Sequence, residues 1–191
     1  MTLLATTHRR ASARGFTLVE LMAVVVIVAI LGTLATLGVR KYILAAKSSE
    51  ATEMIAAIKV AQEAYKAETF MYLDVSGAGN LADQSSFYPA AGPPQRRKIA
   101  WGGGTGAVAN AWRTLGVSAA APVYYIYGCA AGPGSVAPAA PGMTISGYPS
   151  AATGQPWYLI RAVGDLDGDG DWGTWVGTSV TAEIFHDKEE E

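Results

Sequence analysis

Residues 14–39 read RGFTLVELMAVVVIVAILGTLATLGV and decide the fold. From Leu21 to Val39, nineteen consecutive residues carry no charge. At 1.5 Å per residue, an uncharged run of this length can span a bilayer as an α-helix. The apolar stretch begins earlier, at Phe16, where Glu20 interrupts it. Only 16% of the whole chain is charged, against about 25% in a typical soluble domain, so we expect part of the chain in a membrane.

Glu20 distinguishes this stretch from an ordinary membrane anchor or export signal. A carboxylate within an apolar helix costs about 2.5–3.5 kcal/mol at the bilayer centre and is a mark of function. A plain anchor does not explain it. A secretory signal peptide has a shorter apolar region, which ends at a small-residue cleavage site. Three arginines, Arg9, Arg10 and Arg14, precede the stretch and favour a cytoplasmic N-terminus.

The segment from Arg14 to Met22 resembles the class III signal of type IV pilins and type II secretion pseudopilins. It has a basic residue, a glycine, a phenylalanine and then a glutamate at the fifth position after the junction. The resemblance implies that a prepilin peptidase cuts between Gly15 and Phe16 and that the new amine of Phe16 is methylated. It also implies that Glu20 pairs with the terminal amine of a neighbouring subunit as a filament grows. A facing amine would neutralise a carboxylate that is costly in hydrocarbon.

The resemblance and the composition together divide the chain into four segments. We predict a leader peptide at 1–15, the transmembrane and filament-core half of helix 1 at 16–39, its amphipathic half at 40–74, and a globular head at 75–191. Leu37 stands where many pilins carry a proline that kinks this helix. In the amphipathic half, apolar residues recur at steps of three and four, as on one face of a helix: Ala51, Met54, Ile55, Ile58, Ala61 and Tyr65.

The head is predicted to be a small antiparallel sheet of three or four strands that packs on the long helix. Together they form an α+β protein with the type IV pilin fold. Residues 75–110 are rich in Gly, Ala, Ser and Pro and predict an irregular loop. A short helix is expected at 110–117, capped by Asn110 and ended by Gly116. Strand patterns occupy 122–127 and 157–163, with a further strand at 173–176 or 179–185.

Four carboxylates alternate along Asp165-Leu-Asp167-Gly-Asp169-Gly-Asp171. This spacing lets several oxygens converge on one hard cation, as in the first half of an EF-hand loop. Counting from Asp165, the twelfth position is Val176, where an EF-hand needs a bidentate glutamate, so this is not an EF-hand. We expect no required cofactor. A structural calcium ion in a partial loop is one reading of the four aspartates, and a plain Asp/Gly turn is the other.

A basic triplet, Arg96-Arg97-Lys98, lies close to Trp101. These side chains would suit contacts to DNA phosphate and a stacked base, but a solvated patch is the favoured reading of three charges in a loop. The chain has one cysteine and two histidines at opposite ends, which exclude an internal disulfide and argue against a Cys- or His-based zinc site. No catalytic pairing of Ser or Cys with His is apparent. We therefore expect a structural protein, not an enzyme.

Three functional hypotheses follow. The first is a major or minor type IV pilin that serves motility, adhesion or DNA uptake. The second is a pseudopilin of a type II secretion system, and the third is a membrane-anchored protein that binds DNA or a surface. For the first two, the expected partners are other pilin subunits, the prepilin peptidase and methyltransferase, and an inner-membrane assembly platform. The precursor is expected in the bacterial inner membrane with its head in the periplasm, and later on the cell surface.

Overall fold

The computed structural model describes residues 15–82, 84–89 and 96–188. Its elements are α1 (Leu18–Thr69), α2 (Ala107–Leu115), β1 (Ile126–Gly132), β2 (Trp157–Gly164), β3 (Gly173–Thr178) and β4 (Ile184–Asp187). The strands form one antiparallel sheet in the order β1-β2-β3-β4. This α+β architecture confirms the predicted fold class and is consistent with the pilin fold. The predicted leader at 1–15, except Gly15, lies outside the described residues.

The chain forms two compact units, Met1–Arg40 and Lys41–Glu191. In the first unit, Leu18–Thr36 has a mean hydropathy of 2.7 and is, among the described helices, the one long and apolar enough to cross a membrane. All its residues are exposed. The hydroxyl groups of Thr33 and Thr36 donate to the helix's own carbonyl groups, those of Ile30 at 2.8 Å and Gly32 at 2.9 Å. In a membrane no water is available, so polar groups of a helix must form hydrogen bonds within the protein, as these two hydroxyl groups do.

The sheet of the second unit has a buried core on each face. Successive residues of a strand point to opposite faces. From β2, Tyr158, Ile160 and Ala162 join a core that contains Ala51, Ile55 and Ile58 of α1. The alternate residues of β2 join a second core with the irregular segments outside the sheet, formed by Leu81, Phe87, Ala139, Trp157, Leu159 and Val163 among others. The head therefore buries both faces of its sheet, one under the helix and the other under loops.

The long helix ends at Thr69, a few residues before the predicted segment boundary at residue 74. Phe70 has φ 64°, in the left-handed region that ends helices. The chain then passes Gln62, which is fully buried. The amide of Gln62 donates to the carbonyl oxygen of Leu73 at 2.8 Å and accepts from its N–H at 2.9 Å. One polar side chain thus fixes the path of the chain after the helix.

The short helix α2 differs from its prediction at its start. It begins at Ala107 after Gly106, with no side-chain cap, so the prediction that Asn110 caps it was wrong. Asn110 lies inside the helix, where its side-chain oxygen accepts a hydrogen bond from Arg113. Gly116 ends the helix as predicted, with a left-handed φ of 77°.

The first strand also lies further along the chain than predicted. β1 comprises Ile126–Gly132, not residues 122–127. The backbone N–H groups of Tyr124 and Tyr125 donate to the carboxylate of Glu50, at 2.6 and 3.4 Å, instead of joining the sheet. The strand predicted at 157–163 is confirmed as β2. The alternative at 173–176 is confirmed as β3. The alternative at 179–185 overlaps the fourth strand, β4, only at residues 184 and 185, because residues 179–183 are not in a strand.

Candidate processing and assembly site

The predicted cleavage point lies in non-helical backbone just before α1. Gly15 and Phe16 precede the first helical residue, Leu18, and both are exposed. The side chain of Phe16 is 82% exposed. A Cβ atom placed on Gly15 would meet no other atom within 4 Å. The bond between Gly15 and Phe16 is therefore exposed and outside the helix, while the cut itself stays a prediction.

Glu20 forms a reciprocal pair of interactions with Thr17 at the start of the helix. One carboxylate oxygen, Oε2, accepts the N–H of Thr17 at 2.9 Å and its hydroxyl at 2.8 Å. In return, the N–H of Glu20 donates to the Thr17 hydroxyl oxygen at 3.2 Å. This is a capping box, which satisfies backbone donors that a helix N-terminus otherwise leaves unpaired. Thr17 is not among the predicted site residues, although its Thr-x-x-Glu spacing is the signature of this motif.

The second carboxylate oxygen of Glu20, Oε1, accepts no hydrogen bond from any residue that the structure describes. The Glu20 residue is exposed. Chemically, the carboxylate is held by one oxygen and can accept a donor at the other. An ammonium or methylammonium group is the donor that such an oxygen binds most strongly, because the hydrogen bond is charge-assisted.

The acidic loop brings together three of its four predicted ligands. Carboxylate oxygens of Asp165, Asp167 and Asp169 all lie within 4.8 Å of one another. Calcium–oxygen distances are about 2.3–2.6 Å, so these three oxygens can reach one ion. Asp171 instead forms an ion pair with Lys188 at 3.1 Å. Three carboxylates fit part of a calcium shell of about six to eight oxygens, and backbone carbonyl groups or water would have to supply the rest.

The same loop is also stabilised by the protein's own donors. The backbone N–H of Gly168 donates to Asp165 at 2.6 Å, and the N–H of Asp169 donates to Asp167 at 3.2 Å. The ammonium group of Lys47 donates to the carbonyl oxygen of Leu166 at 3.4 Å. These bonds close an Asp/Gly turn, so the geometry is compatible with both readings of the aspartates.

The basic triplet is exposed, but the neighbouring Trp101 packs against other aromatic rings. The ring of Trp101, which would have to stack on a base, packs against Tyr88 and Trp112 at centroid distances of 4.9 and 5.5 Å. The ammonium group of Lys98 lies 4.8 Å from the ring centroid of Tyr124. Arg96 packs against Gly168 of the acidic loop, where its Cδ atom would lie 3.1 Å from a Cβ atom. These ring contacts occupy Trp101, while contacts of Arg96, Arg97 and Lys98 to DNA stay a prediction.

Glu50 forms a polar contact with the backbone of the head that the sequence pattern did not indicate. Its half-buried carboxylate accepts the two backbone N–H groups that precede β1, and burial raises its pKa. The steps of three and four place Glu50 outside the apolar face of α1. Its neighbours in the sequence therefore do not indicate that its carboxylate binds the backbone of the head. Its role is to join α1 to the chain that leads into β1.

The single cysteine, Cys129, is fully buried. Burial raises the pKa of its thiol to about 12, and the amide of Gln62 donates to its sulfur atom at 3.1 Å. Because only the thiolate reacts, we expect a maleimide to leave the folded chain unlabelled at pH 7 and to label it completely in denaturant. The mass increase of the intact chain measures this. Rapid labelling of the folded chain would contradict the burial of Cys129.

Residues 10–36 match the family model described as the prokaryotic N-terminal methylation motif. This motif is typical of type IV pilins and pseudopilins, and it confirms the resemblance over the segment that contains Gly15, Phe16 and Glu20. The match does not extend into the head. No curated protein and no solved structure matches the chain.

Proposed function

We propose that this chain is a structural subunit of a type IV pilus, either a major or a minor pilin. The observation that carries the proposal is the methylation motif at residues 10–36, followed by a fully exposed apolar helix with one carboxylate. An apolar helix exposed on every side must be covered by lipid or by other apolar helices. A filament subunit uses both environments in succession.

In this proposal the precursor lies in the inner membrane with its N-terminus in the cytoplasm and its head in the periplasm. Prepilin peptidase removes residues 1–15, and the amine of Phe16 is methylated. An assembly platform then moves the subunit from the membrane into the filament. Glu20 carries the assembly step, because its cost in hydrocarbon falls when a neighbour's amine faces it. Motility, adhesion and DNA uptake are uses of such a filament.

A pseudopilin of a type II secretion system is the second candidate. The methylation motif is equally typical of that class, and the proposed processing is the same. The two differ in where the mature chain accumulates, since a pseudopilin stays in the cell envelope and a major pilin dominates the surface filaments. A membrane-anchored protein that binds DNA or a surface is the third candidate, and it would not depend on Glu20.

The proposal is tested by mass spectrometry of filaments sheared from the native cells and of the membranes that remain. We expect the mature chain to begin at a methylated Phe16. A Glu20→Ala variant should still be cleaved, but its incorporation into filaments should fall at least about tenfold, as expected when a partner of a buried charge is removed. Glu53→Ala, which removes an exposed carboxylate of the second unit, is the matched control. Wild-type incorporation of Glu20→Ala would exclude both pilin-type functions.

We further propose that the acidic loop binds a structural calcium ion through Asp165, Asp167 and Asp169. Saturating calcium should then raise the melting temperature of the full chain in detergent by about 5 °C, from the stabilisation of a bound ligand and the usual size dependence of melting shifts. A melt in calcium, compared with one in chelator, measures the shift. Asp167→Asn should abolish it, and Asp187→Asn, an exposed carboxylate on β4, should not. Equal melting temperatures in calcium and chelator would leave the plain turn as the correct reading.

A further inference from the structure

We propose that Phe70, at the end of α1, docks into a groove on a second copy of the chain, between α1 and residues 118–123 of that copy. The inference rests on the proposed function, because it concerns how one subunit holds the next in a filament. It goes beyond that function by assigning a contact between two heads, a part of the chain that the methylation motif does not include.

Phe70 is a residue that neither its backbone nor its surroundings explain. Its φ of 64° lies in the left-handed region, which glycine adopts freely and a residue with a Cβ atom adopts at a cost. Its side chain is 81% exposed, so the ring buries little of its apolar surface within the chain. Both the backbone and the solvent therefore disfavour phenylalanine at this position. A partner that covers the ring gives the residue a role.

The backbone on either side of Phe70 is fixed by hydrogen bonds. The N–H of Phe70 donates to the carbonyl oxygen of Lys66 at 2.8 Å. The hydroxyl group of Thr69 donates to the carbonyl oxygen of Met71 at 2.9 Å, and the Met71 side chain adds a second exposed apolar surface. A side chain presented by an ordered backbone loses little conformational entropy when it docks. This end of α1 is thus suited to a protein contact.

A groove that suits an aromatic ring lies on the same compact unit. It has a volume of about 370 Å³, and its walls include Met54 and Ala57 of α1 and residues 118–123. Apart from Ser118, residues 118–123 are alanine, proline or valine. The N–H and carbonyl groups of Val123 bond those of Ile99 at 2.9 and 2.7 Å, which fixes one wall. The groove is therefore a formed, largely apolar site.

Phe70 cannot reach the groove of its own chain. Thirteen positions separate it from Ala57, which is about 20 Å along a helix that rises 1.5 Å per residue. A side chain and a groove at different places on one molecule form a heterologous contact. Such a contact builds an open helical filament when its rotation does not close a ring. The occupant of the groove is therefore assigned as a second copy of the chain.

The end of α1 carries negative charge around Phe70. Glu68 is exposed there, and the last carbonyl groups of a helix carry a partial negative charge. Lys66, the cation of the same turn, is bound within the chain, because its ammonium group donates to the hydroxyl group of Tyr72 at 3.0 Å. The surface that surrounds the ring is therefore acidic.

The groove carries the opposite charge at its rim. Lys98 lines it, and Arg96 and Arg97 come directly before Lys98; all three residues are exposed. Two glutamates also line the groove. The carboxylate of Glu50 accepts backbone N–H groups, which leaves Glu53 as the exposed carboxylate beside three cations. An acidic helix end fits this basic rim, and complementary charge of this kind fixes the orientation of two partners.

Photo-crosslinking tests which surface covers Phe70. The full chain with p-benzoylphenylalanine at position 70 is expressed in the native cells in place of the wild-type chain, and sheared filaments are irradiated. We expect a covalent dimer of the chain, linked from position 70 to residues 50–57 or 118–123, as mapped by mass spectrometry. The same photoreactive residue in place of Tyr42, an exposed aromatic residue of α1, is the control and should not link to the groove.

Phe70→Gly separates docking from folding, because it removes the ring and suits the left-handed backbone. The melting temperature of the full-length variant in detergent should be at or above that of the wild type. Its share of the mature chain in sheared filaments should fall at least about tenfold, as expected when a buried aromatic side chain is lost. Val136→Ser, which removes another exposed apolar side chain, is the matched control and should assemble normally.

Ala57→Leu tests the groove from the other side of the contact. Ala57 is exposed and lines the groove, so leucine should occupy the space for the ring and leave the fold unchanged. Incorporation should fall to about the level of Phe70→Gly. The double variant should be no worse than either single variant, because both substitutions remove the same contact.

The inference is overturned if Phe70→Gly assembles normally, or if it lowers the melting temperature together with assembly. It is equally overturned if position 70 links to lipid, to a different protein or to another surface of the chain. If the wild-type chain dominates the filaments while Phe70→Gly assembles normally, the filament function stands and the docking falls. If the wild-type chain is absent from sheared filaments, the proposed pilin function falls and the docking falls with it.

Discussion

Replacing Gln62 by leucine is expected to lower the free energy of unfolding of the head by about 2–4 kcal/mol. Gln62 is fully buried, and its amide satisfies both the N–H and the carbonyl group of Leu73, at 2.9 and 2.8 Å. Leucine has nearly the same size but cannot form these bonds. Each buried backbone group left without a partner costs about 1–3 kcal/mol. The loss falls where the chain leaves α1, so the helix end and the loop after it should loosen first.

Denaturant titration of the full chain in detergent, followed by tryptophan fluorescence, measures the change. Gln155→Leu is the matched control, because Gln155 is exposed and its replacement should change the free energy of unfolding by less than about 0.5 kcal/mol. Gln62→Glu is a second comparison, since it keeps the acceptor and loses the donor to Leu73 and Cys129. Equal effects of the leucine variants at positions 62 and 155 would show that the buried amide is not a structural anchor.

The second large effect is expected at Gly177, in β3, where the sheet meets the helix. A Cβ atom on Gly177 would lie 2.5 Å from Cγ2 of Ile55, which is fully buried in α1. This methyl group is bonded to the Cβ atom of Ile55, so it can move only if the side chain rotates about χ1 or the backbone shifts. Gly177→Ala should therefore push the helix from the sheet and cost about 1–3 kcal/mol, the usual range for overpacking.

A double-mutant cycle checks this contact specifically. Ile55→Ala removes the obstructing methyl group, so Gly177→Ala should cost much less in that background than alone. Gly103→Ala is the control, because Gly103 has an ordinary φ and nothing lies within 4 Å of its added Cβ. Additive effects of the substitutions at positions 55 and 177 would contradict the proposed close approach of helix and sheet.

Much of the second unit was predictable as a set of elements but not as a set of boundaries. The aromatic and aliphatic run of β2 has the composition of a buried strand, and its prediction is confirmed. The run that ends at Tyr127 has equally strong strand propensity, yet β1 begins only at Ile126. The difference lies in Glu50, which takes the backbone N–H groups of Tyr124 and Tyr125 from 74 and 75 residues away. The sequence around Tyr124 and Tyr125 does not show that Glu50 accepts these N–H groups in place of a neighbouring strand.

The candidate site residues also separate into features that neighbouring residues predict and features that depend on distant contacts. Glu20 was predictable because a carboxylate in an apolar run is conspicuous by itself, and Thr17 was recognisable from a spacing of three residues. The four aspartates from 165 to 171 were recognisable as one cluster. Their division into three convergent carboxylates and one ion pair was not, because Lys188 lies 17 positions further along the chain. The sequence also did not show that the ring of Trp101, a candidate for stacking on a base, packs against Tyr88 and Trp112.

By itself, the sequence determined the features that arise from neighbouring residues: a processing motif, an apolar helix long enough to cross a membrane, and a head of α+β type. These depend on chemistry within a few turns of one segment, which does not change with the rest of the fold. Only the tertiary structure decided how Gln62, Glu50 and Gly177 join the helix to the sheet. These contacts link residues that are far apart in the chain, and their energy exists only when the whole head has packed.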